Sequence, residues 1–370
     1  MSSVCLAAGD IFVPIKIDEN DLYAGVLKLL KTIRPNWIQE KIKLKTLTDG
    51  ITNKLVSCQF LKSSGEKEIF LVRIYGNKTD LFIDRSAEIR NIKTLNVLGL
   101  APQIYGIFEN GLAYQYYPGI TLDTESVTND NIWPLVATQM AKMHKVQLGK
   151  ECGLKIFRFL SMEECAGAVE LTPQAKIGMK NLHCTYFLIV KSHFLNRFTN
   201  SFSSITKLRI EYERLKTLLS KTESPIVFAH NDLLLGNVIY NKDEGTISFI
   251  DYEYAAYCYQ AFDIANHFNE FVGLSIDDID YDRYPCEEFQ FEWIKVYLAM
   301  YLDVDHPTEP QIRKVYKEVQ QMSLLSHFLW GIWSLVQYEH SNIDFDFGRY
   351  AEIRLNRYYE LRDKIFKQLS

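Results

Sequence analysis

The segment FAHNDLLLGNVIYNKDEGTISFID, residues 228–251, alternates apolar runs with polar turn residues. Its first apolar run predicts a strand at 225–229, which leads into a polar loop. Turn-forming residues at 241–245 then predict a tight hairpin, whose second arm covers 246–250. The segment therefore predicts a strand, a loop and a hairpin, and it places polar side chains where the strands end.

Three of these polar side chains carry oxygen ligands. Asp232 lies in the loop, Asn237 follows in a D-x4-N spacing, and Asp251 comes directly after the returning strand. Carboxylate and carboxamide oxygens suit a hard cation such as Mg²⁺, which a nucleotide can also bind. In phosphoryl-transfer sites one Asp deprotonates the attacking hydroxyl, while an Asn and another Asp hold the metal ions. The alternative is structural, because Asp and Asn are ordinary turn residues, but the combined spacing favours phosphoryl transfer.

The composition limits the class of protein. The chain has 370 residues, 47% of them hydrophobic and 24% charged, which is typical of a globular protein with room for two lobes around a cleft. The net charge is −5 without a long basic run, so we expect no nucleic-acid partner. Seven scattered cysteines without a C-x2-C pair are typical of reduced thiols in a cytoplasmic protein.

Neither a signal peptide nor a membrane span is expected. The N-terminus lacks a basic region followed by a sustained apolar run. The most apolar later stretch, 324–338, is too short to cross a bilayer and contains polar residues. We therefore expect no membrane insertion.

The N-terminal part predicts an antiparallel sheet and helices. Apolar residues recur every three or four positions at 20–33, and Pro35 follows, which predicts an amphipathic helix with a defined end. Strand patterns cover 48–60 and 68–76. The turn that opens the first pattern contains Gly50 between small polar side chains, which can let backbone N–H groups approach a triphosphate, although most such turns only connect strands.

A positive charge lies within the second strand. Arg73 has apolar neighbours on both sides, so it needs an anion to offset the cost of desolvation. A predicted helix, capped by Asp84 and ended by Gly99, places Glu88 on its apolar face and makes it the natural partner. In kinase-like folds such a pair aligns the α- and β-phosphates of a nucleotide, and a purely structural ion pair is an equal alternative.

The chain changes character after a strand predicted at 112–117, which Pro118 ends. We expect an N-terminal nucleotide-binding lobe at 1–117, a hinge near 115–119, and a C-terminal catalytic and substrate-binding lobe at 118–370. After residue 251 the patterns are only helical. Predicted helices of this lobe cover 131–146, 205–219, 264–271, 289–301, 308–336 and 343–369.

Six blocks of the sequence carry a family resemblance. They are TDGITNKL, LVRIYGNKTDLFIDRSAE, APQIYGIFENGLAYQYYPG, HNDLLLGNVIYN, FIDYEYAAYCYQAFDIANHFNEF and HFLWGIWSLVQ. In this order, and from about residue 20 to about residue 365, the chain resembles the choline/ethanolamine kinase family, most closely its ethanolamine kinase branch. Protein-kinase motifs such as H-R-D and D-F-G are missing, which disfavours a polypeptide substrate.

The resemblance implies an α+β, bilobal protein-kinase-like fold of the aminoglycoside-phosphotransferase type. Its N-lobe has a small antiparallel sheet, and its C-lobe is larger and mainly helical. The implied reaction uses ATP and Mg²⁺ to convert ethanolamine to phosphoethanolamine, the first step of the CDP-ethanolamine route to phosphatidylethanolamine. The implied partner is a small amino alcohol, ethanolamine and in some relatives choline, and a homodimer is compatible with the family.

The resemblance also implies roles for individual residues. Asp232 resembles the catalytic base, and Asn237, Asp251 and Glu253 resemble the metal ligands. The implied cofactor-binding residues are Gly50, Thr52, Asn53, Arg73, Glu88, Gln115 and Tyr117. The implied substrate pocket contains Tyr254, Glu270, Trp330, Trp333 and Tyr350.

The substrate chemistry leaves alternatives open. A primary ammonium donates three hydrogen bonds and favours acceptors, whereas a quaternary ammonium donates none and favours aromatic rings. The sequence offers both a carboxylate and rings, although aromatic residues at helical spacing are equally typical of a core. A choline kinase, a dual kinase, a phosphotransferase for another amino alcohol or amino sugar, and a nucleotide-binding pseudokinase scaffold are therefore the alternatives to an ethanolamine kinase.

Overall fold

The structure, a computed structural model, describes residues 11–47, 53–76, 84–147, 205–341 and 343–369. The chain divides into two compact units, Met1–Gly119 and Ile120–Ser370. The sequence shows no pattern that organises 149–204, and those residues lie outside the described part of the chain.

The first unit is a sheet accompanied by helices. Its described strands are β1 (Phe12–Val13), β2 (Ile42–Leu47), β3 (Asn53–Leu61), β4 (Lys67–Tyr75), β5 (Ile104–Phe108) and β6 (Gly111–Gln115). They are ordered β1-β5-β6-β4-β3-β2, and every pair is antiparallel except β1 with β5. The sequence predicts β3, β4 and β6. It misses β1, β2 and β5. The alternating lysines of β2 lie at the exposed edge of the sheet, where a hydrophobic pattern is weak.

The structure confirms the two helices that the sequence predicts in the first unit. Helix α1 (Leu22–Ile33) buries the residues that recur every three or four positions, among them Val26 and Leu29, against the sheet. Helix α2 (Arg85–Val97) begins after Asp84, whose side chain accepts a hydrogen bond from the Ala87 N–H at 3.0 Å. Gly99 follows with φ +70°, a conformation that favours glycine and ends the helix.

The second unit is mainly helical and also contains short strands. Its described helices are α3 (Trp133–His144), α4 (Ile205–Leu219), α5 (Gln260–Asn269), α6 (Glu287–Leu302), α7 (Glu309–His340) and α8 (Phe347–Leu369). Its described strands are β7 (Ile120–Thr121), β8 (Ile226–Ala229), β9 (Val238–Asn241), β10 (Thr246–Phe249) and β11 (Ala256–Tyr259). These strands form a three-stranded sheet of order β10-β9-β7 and a two-stranded sheet of β11 and β8. No described helix combines the length and the apolar character that a membrane span requires.

The strand, loop and hairpin predicted at 225–250 are confirmed. β9 and β10 form the antiparallel hairpin, with Phe249 opposite Val238. The expectation that only helices follow residue 251 is wrong, because β11 pairs antiparallel with β8. This four-residue strand is formed by a partner about thirty residues earlier in the chain, and its own sequence is too short to show a period.

Candidate active site

The loop after β8 holds Asp232 in a fixed backbone shape. Asn231, the preceding residue, has φ 68°, a left-handed conformation that asparagine tolerates better than most residues. Its side-chain Nδ2 donates to the backbone oxygens of Tyr254 at 3.0 Å and Ala256 at 3.3 Å. These bonds stabilise the turn, and Asp232 is left only 9% exposed.

A second carboxylate holds this loop by hydrogen bonds to its backbone. Asp263 on α5 accepts hydrogen bonds from the backbone N–H groups of His230 at 2.8 Å and Asn231 at 2.7 Å. Its Oδ2 also lies 3.0 Å from Nε2 of His144 on α3. Burial raises the pKa of Asp263, but the hydrogen bond from His144 and the neighbouring His230 outweigh burial, so the pKa is lowered.

No motif in the sequence singles out Asp263. The only local signal is a carboxylate inside an otherwise apolar helical run, and such a charge needs donors when it is fully buried. Its hydrogen bonds to the loop depend on the packing of α5 against the loop, which the local sequence does not show.

Asn237 presents an oxygen at the start of the hairpin. Its Nδ2 donates to the backbone oxygen of Asp232 at 2.8 Å, which fixes the orientation of the amide. Within the described part of the chain its Oδ1 receives no hydrogen bond. The amide oxygen is therefore available as an acceptor beside Asp232.

The hairpin ends in a group of acids. Asp251 has φ 64° and begins a short turn that contains Glu253, and one carboxylate oxygen of each lies within 4.8 Å of the other. The pKa of Asp232 is raised well above its usual value, first by burial and then by the charges of Asp251, Glu253, Glu270 and Asp263. Such a set of oxygen donors fits a hard divalent cation, because a bound cation would offset their mutual repulsion.

Aromatic rings form a cluster in the same unit. Trp330 and Trp333 on α7 are both 8% exposed and pack with Phe347, and Tyr254 and Tyr350 pack against them. The ring of Trp330 lies 5.4 Å from that of Tyr254 and 5.5 Å from that of Trp333, in edge-to-face geometry. Most of the surface of the two indoles is therefore buried, which is typical of core residues.

The indole N–H groups of the cluster are already used. Trp330 Nε1 donates to Oδ1 of Asn266 at 2.8 Å, and Trp333 Nε1 donates to the hydroxyl of Tyr254 at 3.1 Å. The two indoles can therefore offer a ligand their π faces but no further donor.

Glu270 forms a buried ion pair in this region. Arg354 on α8 donates from Nη1 to Oε1 of Glu270 at 3.1 Å and to the Tyr350 hydroxyl at 3.3 Å, and from Nη2 to Oγ of Ser326 at 3.0 Å. Burial raises the pKa of Glu270 even though the Arg354 guanidinium acts to lower it. No motif in the sequence singles out Arg354, because nothing in the local helical pattern distinguishes it from a surface arginine.

The predicted ion pair between Arg73 and Glu88 is present in the first unit. Arg73 Nη2 contacts Oε1 of Glu88, and both side chains are buried. Arg85 also donates to Glu88 at 3.0 Å, and its guanidinium carbon lies 4.0 Å from the centre of the Tyr75 ring. Glu88 thus pairs with two arginines, of which the sequence predicts one.

Three more of the residues that are predicted to bind the cofactor lie in the described part of the chain. Asn53 accepts a hydrogen bond from Arg85 at 3.1 Å, and Gln115 Oε1 accepts one from the backbone N–H of Gln103 at 3.2 Å. Burial raises the pKa of Tyr117 to about 12, and the charge of Tyr105 acts in the same direction. Gly50 and Thr52 lie outside the described residues.

Comparison with known proteins agrees with this architecture. The family model described as choline/ethanolamine kinase matches residues 44–359. The Drosophila melanogaster protein named ethanolamine kinase is 39% identical, over 94% of this chain and 78% of its own length. A solved Plasmodium vivax ethanolamine kinase is 29% identical with a TM-score of 0.70, over 92% of this chain and 89% of that one.

A more distant structure extends the fold relationship. The streptomycin–ATP complex of APH(2″)-IIa is 12% identical, with a TM-score of 0.53 over 94% of this chain and 97% of that one. At this identity the likeness shows the fold alone. The sheet of the first unit and the helices of the second define a bilobal protein-kinase-like fold. Within that class, the chain belongs to the choline/ethanolamine kinase family.

Proposed function

We propose that the chain is an ATP-dependent ethanolamine kinase, which transfers the γ-phosphate to the ethanolamine hydroxyl. The observation that carries the proposal is the group of acids around Asp232, whose pKa is raised by burial and by four acidic neighbours. A cluster of carboxylates around a buried carboxyl group is stabilised by bound cations. The proposed reaction includes two cations, a metal ion and the ammonium group of the substrate.

Asp232 acts on the attacking hydroxyl. Its carboxylate accepts the hydroxyl proton as the ethanolamine oxygen bonds to the γ-phosphorus, and the bond from that phosphorus to the bridging oxygen of ADP breaks. The loop geometry supports this role, because the Asp263 carboxylate and the Asn231 side chain fix the backbone that leads into Asp232. The products are phosphoethanolamine and ADP.

Mg²⁺ would neutralise charge on the transferring phosphate when it is bound. Asn237, Asp251 and Glu253 supply the oxygen ligands in this proposal, and the free Oδ1 of Asn237 supports it. For the nucleotide, the residues that we propose are Gly50, Thr52, Asn53, Arg73, Glu88, Gln115 and Tyr117.

The ammonium group is assigned to the aromatic cluster and its carboxylate. Tyr254, Trp330, Trp333 and Tyr350 provide rings, and Glu270 provides an acceptor. Burial raises the pKa of Tyr350, and the charges of Glu270 and Asp232 raise it as well. The influence of both carboxylates on one ring supports a short distance between the proposed ammonium pocket and the proposed base. A choline kinase is the second candidate, because satisfied indole N–H groups leave π faces that also suit a quaternary ammonium.

A comparison of amino alcohols tests the proposal. The kcat/KM of the purified full chain with ATP and Mg²⁺ is measured for ethanolamine, its N-methyl and N,N-dimethyl derivatives, and choline. Each methyl group removes an N–H donor, and an unsatisfied buried acceptor costs about 1–3 kcal/mol, so kcat/KM should fall roughly 10-fold or more towards choline. A maximum with choline would support the second candidate, and ATP consumption that is independent of any amino alcohol would support a pseudokinase scaffold.

A further inference from the structure

One buried amide connects the aromatic cluster to the loop of Asp232. Asn266 on α5 has no exposed surface. Its Oδ1 accepts hydrogen bonds from Trp330 Nε1 and from Ser326 Oγ, both at 2.8 Å. Its Nδ2 donates to the backbone oxygen of Asn231 at 3.3 Å. The two ends of a single rigid amide thus bind two different parts of the site.

Each end of the Asn266 amide constrains the position of a part of the site. Asn231 precedes Asp232 and has a left-handed backbone, so a bond to its carbonyl constrains the plane of the peptide that leads into Asp232. Ser326 also accepts from Arg354, which in turn holds Glu270. The Asn266 amide is therefore linked to a ring and, through two further bonds, to the carboxylate of the proposed ammonium pocket.

We propose that Asn266 is a positioning residue, which keeps the ammonium pocket and the Asp232 loop in a fixed geometry relative to each other. The inference rests on the proposed function. A short amino alcohol has only two carbons between nitrogen and hydroxyl, so the pocket that holds the ammonium also determines where the hydroxyl lies. A displacement of about 1 Å between pocket and base can cost roughly 100-fold in rate.

The same helix provides a matched control. Asn269, three residues later on α5, is 1% exposed, and its Oδ1 accepts from Ser323 Oγ at 2.8 Å. Its Nδ2 makes no hydrogen bond within the described residues. Asn269 therefore accepts a hydrogen bond from a serine of α7, as Asn266 does, but its side chain makes no described hydrogen bond to the Asp232 loop.

The test compares substitutions at these two positions. In Asn266→Ala, both ends lose their anchor, so kcat should fall and KM for ethanolamine should rise, with kcat/KM reduced roughly 10- to 100-fold. In Asn266→Asp, an oxygen acceptor remains for Trp330 and Ser326, but an ionised carboxylate cannot donate to the Asn231 carbonyl. This variant should lose kcat about 10-fold at pH 8 while KM stays within about threefold. Asn269→Ala should keep both constants within about threefold of the wild type.

The outcomes separate this inference from the proposed function. Equal effects of Asn266→Ala and Asn269→Ala on an active enzyme would overturn the inference and leave the kinase activity intact. Thermal melting followed by circular dichroism shows whether Asn266→Ala is folded. If it is not, Asn266→Asp decides, and an unchanged kcat in that variant would overturn the inference. A wild-type chain without ethanolamine-dependent turnover would overturn both proposals.

Discussion

Replacing Arg354 by methionine should destabilise the protein by about 4 kcal/mol. The arginine side chain is 4% exposed and donates to Glu270, Tyr350 and Ser326. All three bonds are donated by the charged guanidinium, and a hydrogen bond to a charged group contributes about 1.5–3 kcal/mol, so the lower end of this range gives a loss of about 4–5 kcal/mol. The same magnitude follows from the cost of about 3–5 kcal/mol for leaving one partner of a buried ion pair alone.

Urea unfolding of a double-mutant cycle measures the effect. Arg354→Met, Glu270→Gln and the double variant are compared with the wild type. The double variant should lose less than the two single losses together, with a coupling free energy of about 2 kcal/mol, because glutamine no longer carries the charge that Arg354 neutralises. Arg349→Met on α8 is the control, since its ion pair with Asp277 is exposed, and it should cost less than about 1 kcal/mol.

The same substitution should affect activity through Glu270. Burial already raises the pKa of Glu270, and removal of Arg354 raises it further. A protonated Glu270 accepts an ammonium N–H poorly, so the KM of Arg354→Met for ethanolamine should increase more steeply than that of the wild type as the pH falls. Equal losses of stability in Arg354→Met and Arg349→Met, or strictly additive losses in the cycle, would refute the reasoning.

Three further changes have expected outcomes. Asp232→Asn should lower kcat by at least ~10²–10⁴, as for a general base, and raise the urea midpoint at pH 8. That gain should vanish as the pH approaches ~4, because a raised carboxyl pKa destabilises the fold only where the carboxyl is ionised. Asp263→Ala should lose about 3 kcal/mol of unfolding free energy at pH 7, and the loss should shrink as the pH falls through the lowered pKa of Asp263. Gly111→Ala should cost about 1–3 kcal/mol or more, since its Cβ would overlap the backbone oxygen of Arg73, whereas Gly236→Ala, with nothing within 4 Å, should be nearly neutral.

The sequence predicts those parts of the fold that depend on local patterns. Helix α1, helix α7 and the hairpin of β9 and β10 each follow from periodicity and from capping or turn residues within their own segments. Thr308 and Gln311 form the capping box at the start of α7. Strand β11 follows from no local pattern, because a pairing with β8 at a distance in the chain creates it.

The candidate site divides in the same way. Asp232, Asn237 and Asp251 lie within one short segment, so their types and spacing are enough to indicate a chemistry, whereas Glu253 is indicated by the family resemblance. Arg354 lies 84 residues from Glu270, and no pattern in the sequence pairs them. The residues that we propose to carry the chemistry are thus visible in the sequence, whereas the residues that hold them in place become visible only through packing.

Phosphorus-31 NMR of the reaction mixture tests the central claim most directly. The full chain is incubated with ATP, Mg²⁺ and ethanolamine, and Asp232→Asn is treated in parallel. We predict a phosphoethanolamine signal that grows with that of ADP in equal amounts for the wild type and is at least ~100-fold slower for the variant. ADP without phosphoethanolamine, or equal rates for the two proteins, would contradict the assignment of Asp232 as the base of an ethanolamine kinase.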